Sequence, residues 1–436
     1  MGITDLFKTL RRYDNLIRRE KIFNACFGKF IPMDISSYIY KFKAVAPDNQ
    51  RWVTTLVNMI TWFKSKHLIG ICMVFDGKPP KEKDRTKSER SDEKKKMLQN
   101  IESLEYDLIT YQAEGIITDF LIETMNKINI ADERNSRKYD SYDNSVVSRF
   151  LGSAGKSAAP KADTKEVMKD SKTERKVIIE VDKLEKRKEK MESQVSCGPT
   201  RDDINLVKEI LDNFGVPYFQ ASGEAETFCA QLCKAGLADT VISEDSDVLS
   251  YGTVKTLISK IEISAGDCDV INLADVHRAL EMTHKEFLDF CILCGTDYNK
   301  NAKKLGPVTA LKFIQKYKSI ERVMLNETKY DYSEYANKED VRNIFNLVKL
   351  HTAIIGNQSR VKGDSRGKDL YSERNAKMED LSEYKEIYRI PAWEDKDIKT
   401  VLDFLDSKGI KYSQKTIEKW ISERVEIEFV MNDEDD

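Results

Sequence analysis

The chain has 436 residues, which is enough for one large domain or two ordinary ones. Its 71 Lys and Arg residues nearly balance its 74 Asp and Glu residues, so the net charge of −3 neither indicates nor excludes a polyanionic partner. The sequence has no run of 18 apolar residues and no apolar secretory-signal stretch at its N-terminus, which argues against a membrane-spanning or exported protein and predicts an intracellular one.

The first predicted elements lie between residues 28 and 80. Two apolar runs, GKFIPMDISSYIY at 28–40 and LIGICMVFDG at 68–77, flank VTTLVNMITWF at 53–63, whose apolar residues recur at helical spacing. This pattern predicts a strand, a helix and a second strand.

A similar order of elements returns after residue 200. The pattern predicts a helix, a strand, a helix and a strand, in INLVKEILDNFG at 204–215, VPYFQA at 216–221, GEAETFCAQLCKAG at 223–236 and DTVIS at 239–243. Such alternation predicts a mostly parallel sheet flanked by helices, assembled from residues 1–80 and 200–300.

Residues 81–200 differ in composition, since they are rich in Lys, Glu, Asp and Ser. Residues 97–128 have enough apolar residues at helical spacing for one or two exposed helices, whereas 153–167 have the composition of a linker. We expect a partly mobile helical arch, and a surface insertion without a role is the alternative.

The chain beyond residue 300 again has helical patterns. These are VTALKFIQKY at 308–317, NIFNLVKLHTAII at 343–355 and VLDFLDSKGI at 401–410, and they are separated by a polar stretch at 356–380 that predicts a loop.

Disulfide bonds are not expected from the eight cysteines, because a chain that is not exported meets a reducing environment. The pair Cys291 and Cys294 lies in the apolar run FCILC and has no second CxxC or His pair to complete a zinc site. We therefore predict that both pack in the core.

Four acids occupy positions where a carboxylate is unfavourable. Asp34 interrupts an apolar run, Asp76 ends another, and Asp245 and Asp247 directly follow the predicted strand DTVIS. The carboxyl ends of parallel strands meet at one edge of a sheet, so these side chains are expected to converge. Because ionised carboxylates at close range repel, such a cluster predicts a bound divalent cation.

Three further acids have weaker individual signals. Glu224 and Glu226 lie at the start of a predicted helix after Ser222, a good N-cap, and could simply complement the helix dipole. Asp297 follows Gly295, which is expected to end a helix, and could be an ordinary turn residue. Oxygen ligands suit Mg²⁺ or Mn²⁺, and seven carboxylates are too many for one such ion but suit two.

The motifs that surround these acids resemble those of flap endonucleases in the structure-specific 5′ nuclease superfamily, also called XPG-like. They are MGI, MDISSYIY, VFDGKPP, SGEAE, ISEDSDVLSYG, FLDFCILCGTDY and LGPVTALKFI, in the family's order. The resemblance covers residues 1–90 and 200–320, is looser over 392–410, and leaves most of 91–200 unmatched.

The resemblance implies a PIN-like α/β fold, with a mostly parallel central sheet flanked by helices, a helical arch insertion and a helix-hairpin-helix DNA-binding region. It divides the chain into an N-terminal nuclease region, a partly disordered arch, an internal nuclease region and a helix-hairpin-helix with C-terminal helices, at 1–90, 91–200, 201–300 and 301–436.

The resemblance also implies the chemistry of the site. The metal ligands are carried over to Asp34, Asp76, Glu224, Glu226, Asp245, Asp247 and Asp297, and they hold two Mg²⁺ ions, for which Mn²⁺ can substitute. Hydrolysis leaves a 5′-phosphate and a 3′-hydroxyl. Lys83 matches a basic residue beside the scissile phosphate, and the family's second base, an arginine, is matched by either Lys87 or Arg90. A solvated charge run is the alternative for all three.

Residues 298–320 contain six lysines and no acid, which indicates a DNA-binding surface. Gly306-Pro307 opens a predicted helix and resembles the hairpin of a helix-hairpin-helix, which grips duplex phosphates. The predicted DNA-binding residues are Gly2, Lys303, Lys304, Gly306 and Lys312. An exposed lysine-rich helix without a ligand is the alternative.

The favoured hypothesis is a 5′ flap endonuclease with 5′–3′ exonuclease activity that acts in DNA replication and repair. One alternative is a related nuclease that prefers bubbles, recessed 5′ ends or four-way junctions, and another is a non-catalytic DNA-binding scaffold. An aspartate-dependent phosphatase is disfavoured, because Ile35 and Ser36 follow Asp34 where that class has a second acid.

The expected partner is branched or flapped double-stranded DNA, bound by a monomer without a membrane. A sliding clamp is a further candidate partner, but Gln414, Ile417 and Trp420 only partly match a clamp-binding motif, since Ile421 replaces an aromatic residue. A packed helix explains that spacing better. The nucleus is the expected compartment in a eukaryotic source and the cytoplasm in any other.

Overall fold

The computed structural model of the chain describes residues 2–45, 49–65, 70–132, 168–169, 176–177, 179–196, 198–347, 353–355, 395–410 and 412. Its contacts divide the chain into two compact units, Met1–Ser88 with Gly198–Asp436, and Glu89–Cys197.

The described strands belong to one large sheet and one two-stranded antiparallel sheet. They are β1 (Arg18–Lys21), β2 (Phe30–Asp34), β3 (Gly70–Phe75), β4 (Met168–Lys169), β5 (Lys176–Val177), β6 (Tyr218–Ala221), β7 (Thr240–Ile242), β8 (Thr256–Glu262), β9 (Asp267–Asn272) and β10 (Ala353–Ile355).

The described α-helices include the long helix α5, which runs from the first unit into the second. They are α1 (Leu6–Leu10), α2 (Ile22–Cys26), α3 (Ile35–Val45), α4 (Asn49–Ser65), α5 (Asp84–Glu114), α6 (119–132), α7 (Val181–Ser196), α8 (Arg201–Phe214), α9 (Ala225–Lys234), α10 (Leu273–Leu280), α11 (His284–Cys294), α12 (Pro307–Tyr317), α13 (Ile320–Asn326), α14 (Lys338–Phe345) and α15 (Asp395–Ser407).

The first unit is built on an eight-stranded sheet in the order β1-β9-β8-β7-β2-β3-β6-β10. The five central strands from β8 to β6 are parallel to their neighbours, and β9, β1 and β10 pair antiparallel at the two sides. This confirms the predicted α/β fold with a mostly parallel sheet.

Helices cover both faces of this sheet, because alternate residues of a strand point to opposite sides. In β3, Ile71 and Met73 join one buried cluster with α3, α4 and α8, whereas Cys72 and Val74 join the other with α9 and α11. The central strands are therefore buried on both faces, which places the carboxyl ends of several strands at one shared edge.

Two predicted elements are wrong. The apolar run at 28–40 is not one strand, because β2 ends at Asp34 and α3 begins at Ile35. The Asp34 carboxylate accepts a hydrogen bond from the backbone N–H of Ser37 at 3.2 Å, as an N-cap does, and so favours a helix start. The run at 343–355 is also divided: α14 ends at Phe345, and Ala353–Ile355 forms β10, which pairs with β6.

The second unit has its own apolar core. Residues of α5, α6 and α7 form it, and they are Ile101, Leu104, Leu108, Leu121, Met125, Leu184 and Met191. The helices expected within 97–128 are therefore present.

Three predicted features lie outside the described residues. They are the linker at 153–167, the loop at 356–380 and the clamp-like residues 414–421.

The cysteine prediction is confirmed for the described part of the chain, where all seven cysteines are free and buried, including Cys291 and Cys294. No described helix has the length and apolar character needed to cross a bilayer.

A half-buried histidine, His284, provides a test of the packing of α10 against α11. His284 lies 3.4 Å from His277, between ring nitrogens, and burial lowers the pKa of His284 from 6.5 to about 4, with the His277 charge as a smaller cause. Between these two values the unfolded chain binds a proton that the folded chain does not, so this group destabilises the fold as the pH falls from 6.5 towards 4.

We expect the wild type to lose about 2 kcal/mol more unfolding free energy between pH 7 and pH 5 than His284→Gln does. Urea unfolding of both proteins at the two pH values measures this difference. Equal losses would show that His284 is not held neutral by its surroundings.

Candidate metal centre

Seven acids come together at the carboxyl edge of the parallel strands, and we call them the acidic cluster. Hydrogen bonds, ion pairs and mutual charge effects on pKa connect its members, which are Asp34, Asp76, Glu224, Glu226, Asp245, Asp247 and Asp297. These are the seven residues predicted as metal ligands. One oxygen from each of Glu226, Asp245 and Asp247 lies within 4.8 Å of the others.

The first two acids are positioned by β2 and β3. Asp34 ends β2 and is 7% exposed, and the Ser243 hydroxyl donates to its second oxygen at 3.4 Å. Asp76 follows β3 and accepts a hydrogen bond from the backbone N–H of Ala225 at 2.9 Å. Asp76 therefore connects the N-terminal segment of the chain to the first residue of α9.

Glu224 and Glu226 are positioned by the start of α9. The expectation that Ser222 caps this helix is wrong, because α9 begins at Ala225 and Glu224 is its N-cap residue. Glu226 lies in the first turn and is 5% exposed. The positive end of the helix dipole favours negative charge at both positions, but it does not satisfy the buried oxygens of these side chains.

Asp245 and Asp247 follow β7 on a tight turn. The backbone N–H of Asp247 donates to Asp245 at 3.0 Å, and the backbone N–H of Asp245 donates to the Ser243 hydroxyl at 3.0 Å. Asp247 is fully buried, and neither of its carboxylate oxygens accepts a hydrogen bond from the described residues. One buried carboxylate oxygen of Glu226 likewise accepts no hydrogen bond from the described residues.

Gly2 lies against this turn. It has a φ of +82°, and a Cβ built on it would lie 2.0 Å from Asp245 Oδ1, so a side chain here would displace the aspartate. The predicted contact between Gly2 and DNA stays a prediction.

The electrostatics of the cluster are unfavourable for its ionised form. Burial raises the pKa of Asp34 well above its usual range, and the Asp76 charge raises it further. Burial likewise raises the pKa of Glu226 and of Asp247, and the Asp245 charge adds to both. At neutral pH these groups gain from any cation that enters the cluster.

Lys83 supplies one such cation. Its ammonium lies 2.6 Å from Glu224, 3.2 Å from Asp297 and 3.9 Å from Glu226, measured to carboxylate oxygens. Burial alone would lower the pKa of Lys83, but the charges of these three acids outweigh burial and raise it. The predicted basic residue therefore lies inside the acidic cluster.

The two other predicted bases are placed differently. Lys87 forms an ion pair with Asp84 at 3.6 Å, and its side chain is 45% exposed. Arg90 is exposed and belongs to the second compact unit. The structure thus gives Lys83 a direct contact with the cluster, while the choice between Lys87 and Arg90 stays open.

Sequence reasoning missed Tyr298 as part of the site. Its buried hydroxyl donates a short hydrogen bond to the second carboxylate oxygen of Glu224, and Lys83 Nζ lies 5.1 Å from the centre of its ring. Tyr298 directly follows Asp297 in the motif GTDY, and that adjacency was the signal available in the sequence.

The predicted DNA-binding segment forms a loop and a helix after Asp297. Gly306 is the N-cap residue of α12 and Pro307 its first residue, as predicted, and Lys303, Lys304 and Lys312 are all exposed. Their function in DNA binding stays a prediction.

The residues present fit divalent metal ions. Carboxylate oxygens are the ligands that Mg²⁺ and Mn²⁺ prefer, and buried oxygens of Asp247 and Glu226 lack hydrogen-bond donors among the described residues. Two distant parts of the sequence supply the four acids Asp34, Asp76, Asp245 and Asp247. A metal ion that these acids share would therefore connect β2, β3 and β7.

Comparisons with known proteins agree with this arrangement. The family described as XPG N-terminal domain matches residues 1–97, and the XPG I-region matches residues 215–297. A relative from Invertebrate iridescent virus 3, named "Probable RAD2-like endonuclease 076L", is 31% identical over 366 residues, which cover 80% of this chain and 86% of that protein. Flap endonuclease 1 of Naegleria gruberi is 38% identical over 151 residues, or 34% of this chain and 39% of that protein.

Among solved structures, the catalytic core of Rad2 in complex with DNA substrate resembles this chain. The match covers 96% of this chain and 98% of the other, with a TM-score of 0.51 and 17% sequence identity. At this identity the likeness concerns the fold, and it supports the 5′ nuclease fold.

Metal binding should be visible as a gain in stability that depends on Asp247. We expect saturating Mg²⁺ to stabilise the wild type by about 2–3 kcal/mol, as for a ligand at 100 times its dissociation constant, and to stabilise Asp247→Asn much less. Thermal unfolding with Mg²⁺ and with a chelator measures both shifts.

Asp239→Asn is the matched control, because Asp239 is exposed and precedes the opposite end of β7. It should retain the full Mg²⁺ effect. If Asp247→Asn responds to Mg²⁺ as strongly as this control, Asp247 is not a ligand.

Proposed function

The chain belongs to the XPG family of RAD2-like nucleases, and from this premise we propose that it is a Mg²⁺-dependent endonuclease that cuts DNA with an unpaired 5′ flap. The observation that carries the proposal is the acidic cluster, in which buried oxygens of Asp247 and Glu226 accept no hydrogen bond from the described residues. A non-catalytic scaffold is less consistent with this cluster, because it would retain the repulsion among seven acids without using them.

Two Mg²⁺ ions bound by these carboxylates would supply a nucleophile from water at neutral pH and positive charge at the scissile phosphate. The chain's own residues would hold them in place. Ser37 and Ser243 fix both oxygens of Asp34, and the α9 backbone fixes Asp76. The ligands are thus oriented before any substrate arrives, which is the condition for electrostatic catalysis.

Lys83 would act beside the metal ligands. Its ammonium is already held at the cluster by Glu224 and Asp297. A lysine has a flexible four-carbon stem, so this charge can move from a carboxylate to a phosphate oxygen as DNA binds. We propose that Lys83 stabilises negative charge on the phosphate during hydrolysis, and that either Lys87 or Arg90 adds a second positive charge.

Residues 298–320 would hold the duplex part of the substrate. The N-terminus of α12 and the exposed side chains of Lys303, Lys304 and Lys312 can contact phosphates without reading bases. We propose that this segment is the DNA-gripping hairpin. This segment directly follows Asp297 in the sequence, so DNA bound to it would lie near the acidic cluster.

The similarity to flap endonuclease 1 favours a 5′ flap as substrate, with 5′–3′ exonuclease activity and a function in replication and repair as parts of the proposal. Nothing specific in the acidic cluster favours bubbles or four-way junctions.

Cleavage depends on Asp76 in this proposal. Asp76→Asn keeps an acceptor for the Ala225 N–H but removes a negative ligand, so we expect the rate on a labelled 5′-flap duplex to fall by a factor of about 10³ in Mg²⁺. Binding of the same DNA in Ca²⁺ should change little, because other residues position it.

The same assay should compare flap, bubble, nicked, gapped and four-way substrates, with EDTA as the metal-free control. We expect the wild type to cut the flap fastest. Faster cleavage of bubbles or junctions would contradict the flap assignment, and wild-type cleavage by Asp76→Asn would contradict the metal assignment.

Duplex binding depends on the lysines before α12. Replacing both Lys303 and Lys304 by Ala should weaken binding to a 5′-flap duplex and lower the slope of log K against log salt by about 1.8, as expected for two lost phosphate contacts. Fluorescence anisotropy at several salt concentrations measures this slope.

A variant with Lys285 and Lys329 replaced by Ala is the matched control, since both are exposed and lie outside 298–320. It should retain the wild-type slope. Equal effects of the two double variants would mean that only the overall charge matters.

A further inference from the structure

The tyrosine that follows Asp297 binds an acid of the cluster to which Lys83 is also bound. The Tyr298 hydroxyl donates a hydrogen bond to Glu224 Oε2, while the Lys83 ammonium lies 2.6 Å from Glu224 Oε1. Both oxygens of this carboxylate therefore have a partner within the chain. Glu224 differs in this respect from Asp247, whose two oxygens accept no hydrogen bond from the described residues.

The Lys83 ammonium is enclosed on several sides. Besides its contact with Glu224, it lies 3.2 Å from Asp297 Oδ2 and 5.1 Å from the centre of the Tyr298 ring. The electron-rich face of the ring attracts a cation at this distance, and the attraction is stronger where water is excluded. The Lys83 side chain is only 12% exposed. These contacts restrict a long, flexible side chain to one place in the acidic cluster.

Tyr298 is itself held firmly. Its ring packs edge to face against Phe345 of α14, with 5.5 Å between the ring centres and 78° between the ring planes. Its backbone N–H donates to the Thr296 hydroxyl at 3.1 Å, and the Asn337 amide donates to its carbonyl at 3.2 Å. Because Phe345 is fully buried, the tyrosine ring cannot turn away without disturbing the core. The hydroxyl is therefore a fixed donor for Glu224.

The alternative is a tyrosine that only fills the core, with Glu224 as the acceptor that its buried hydroxyl needs. Two contacts favour a positioning function instead. The hydroxyl holds one oxygen of Glu224 and Lys83 binds the other, so a fixed carboxylate also fixes the place of the ammonium. The ring of the same tyrosine borders that ammonium. Filling the core requires neither contact with Lys83 nor control of its acid partner.

We propose that Tyr298 is a positioning residue for cleavage, which holds Lys83 where it meets the scissile phosphate. The inference rests on the proposed function for the reaction and for the action of Lys83. Tyr298 acts through Glu224 and Lys83 and does not touch the phosphate. Its loss should therefore slow the chemical step and leave the affinity for DNA almost unchanged.

Tyr298→Phe is the test variant, because it keeps the ring and removes only the hydroxyl. The assay is cleavage of a labelled 5′-flap duplex in Mg²⁺ under single-turnover conditions, which separates the chemical step from product release. We expect the rate at saturating enzyme to fall by about 10-fold or more, because small errors in position are costly. The half-saturating enzyme concentration should change by less than about 3-fold.

Tyr251→Phe is the matched control. Tyr251 also packs on Phe345, with 5.1 Å between the ring centres, but its buried hydroxyl pairs with the Thr227 hydroxyl at 2.8 Å and not with an acid. The control thus loses a buried hydroxyl from the same aromatic group, and its rate should stay within about 3-fold of the wild type. An equal loss in the two variants, or an unchanged rate in Tyr298→Phe, would overturn the proposal.

A double-mutant cycle tests the route through Lys83. Lys83→Ala removes the charge that Tyr298 positions, so adding Tyr298→Phe to it should slow cleavage by less than about 2-fold. Effects that multiply would show that Tyr298 does not act through Lys83, and the proposal would be wrong.

Urea unfolding in EDTA tests the contact with Glu224 without catalysis. Tyr298→Phe should lower the unfolding midpoint of the wild type but not that of Glu224→Ala, in which the hydroxyl has already lost its partner. Equal drops in both backgrounds would show that Tyr298 only fills the core and would refute the positioning function alone. Absence of cleavage by the wild type would instead refute the proposed function, so the two can fail separately.

Discussion

Repulsion among buried carboxylates is the constraint on which the rest of this structure depends. Asp34, Glu226 and Asp247 are nearly or fully buried, and their ionised forms are disfavoured both by burial and by one another. A fold keeps such a group only if a proton or a cation compensates its charge. Lys83 contributes one positive charge to a cluster of seven acids, which leaves most of the acids to bind protons or further cations.

The fold brings these acids together because the central strands are parallel. The carboxyl ends of β2, β3 and β7 share one edge, and α9 begins at that same edge. Residues more than 200 positions apart thus become neighbours, as the contact between Asp34 and Ser243 shows. The second unit, with its own apolar core, lies between these segments in the sequence without interrupting the sheet.

Much of this could be predicted from the sequence, since acids at strand ends and helical periodicity are local signals. The turn at Asp34 could not, because the apolar run continues unchanged from strand into helix, and the hydrogen bond from the Ser37 N–H to the Asp34 carboxylate is visible only in the structure. β10 was missed because its pairing with β6 depends on contacts distant in sequence. Tyr298 was missed because a buried aromatic residue is usually core, and its hydroxyl contact with Glu224 is visible only in the structure.

The most direct test of the account is an anomalous diffraction experiment on crystals grown with MnCl₂. The account predicts two manganese peaks within the acidic cluster, about 4 Å apart, with oxygens of Asp34, Glu226 and Asp247 as ligands. Crystals in which the cluster holds no manganese at saturating concentration, with Lys83 still bound to Glu224 and Asp297, would contradict it.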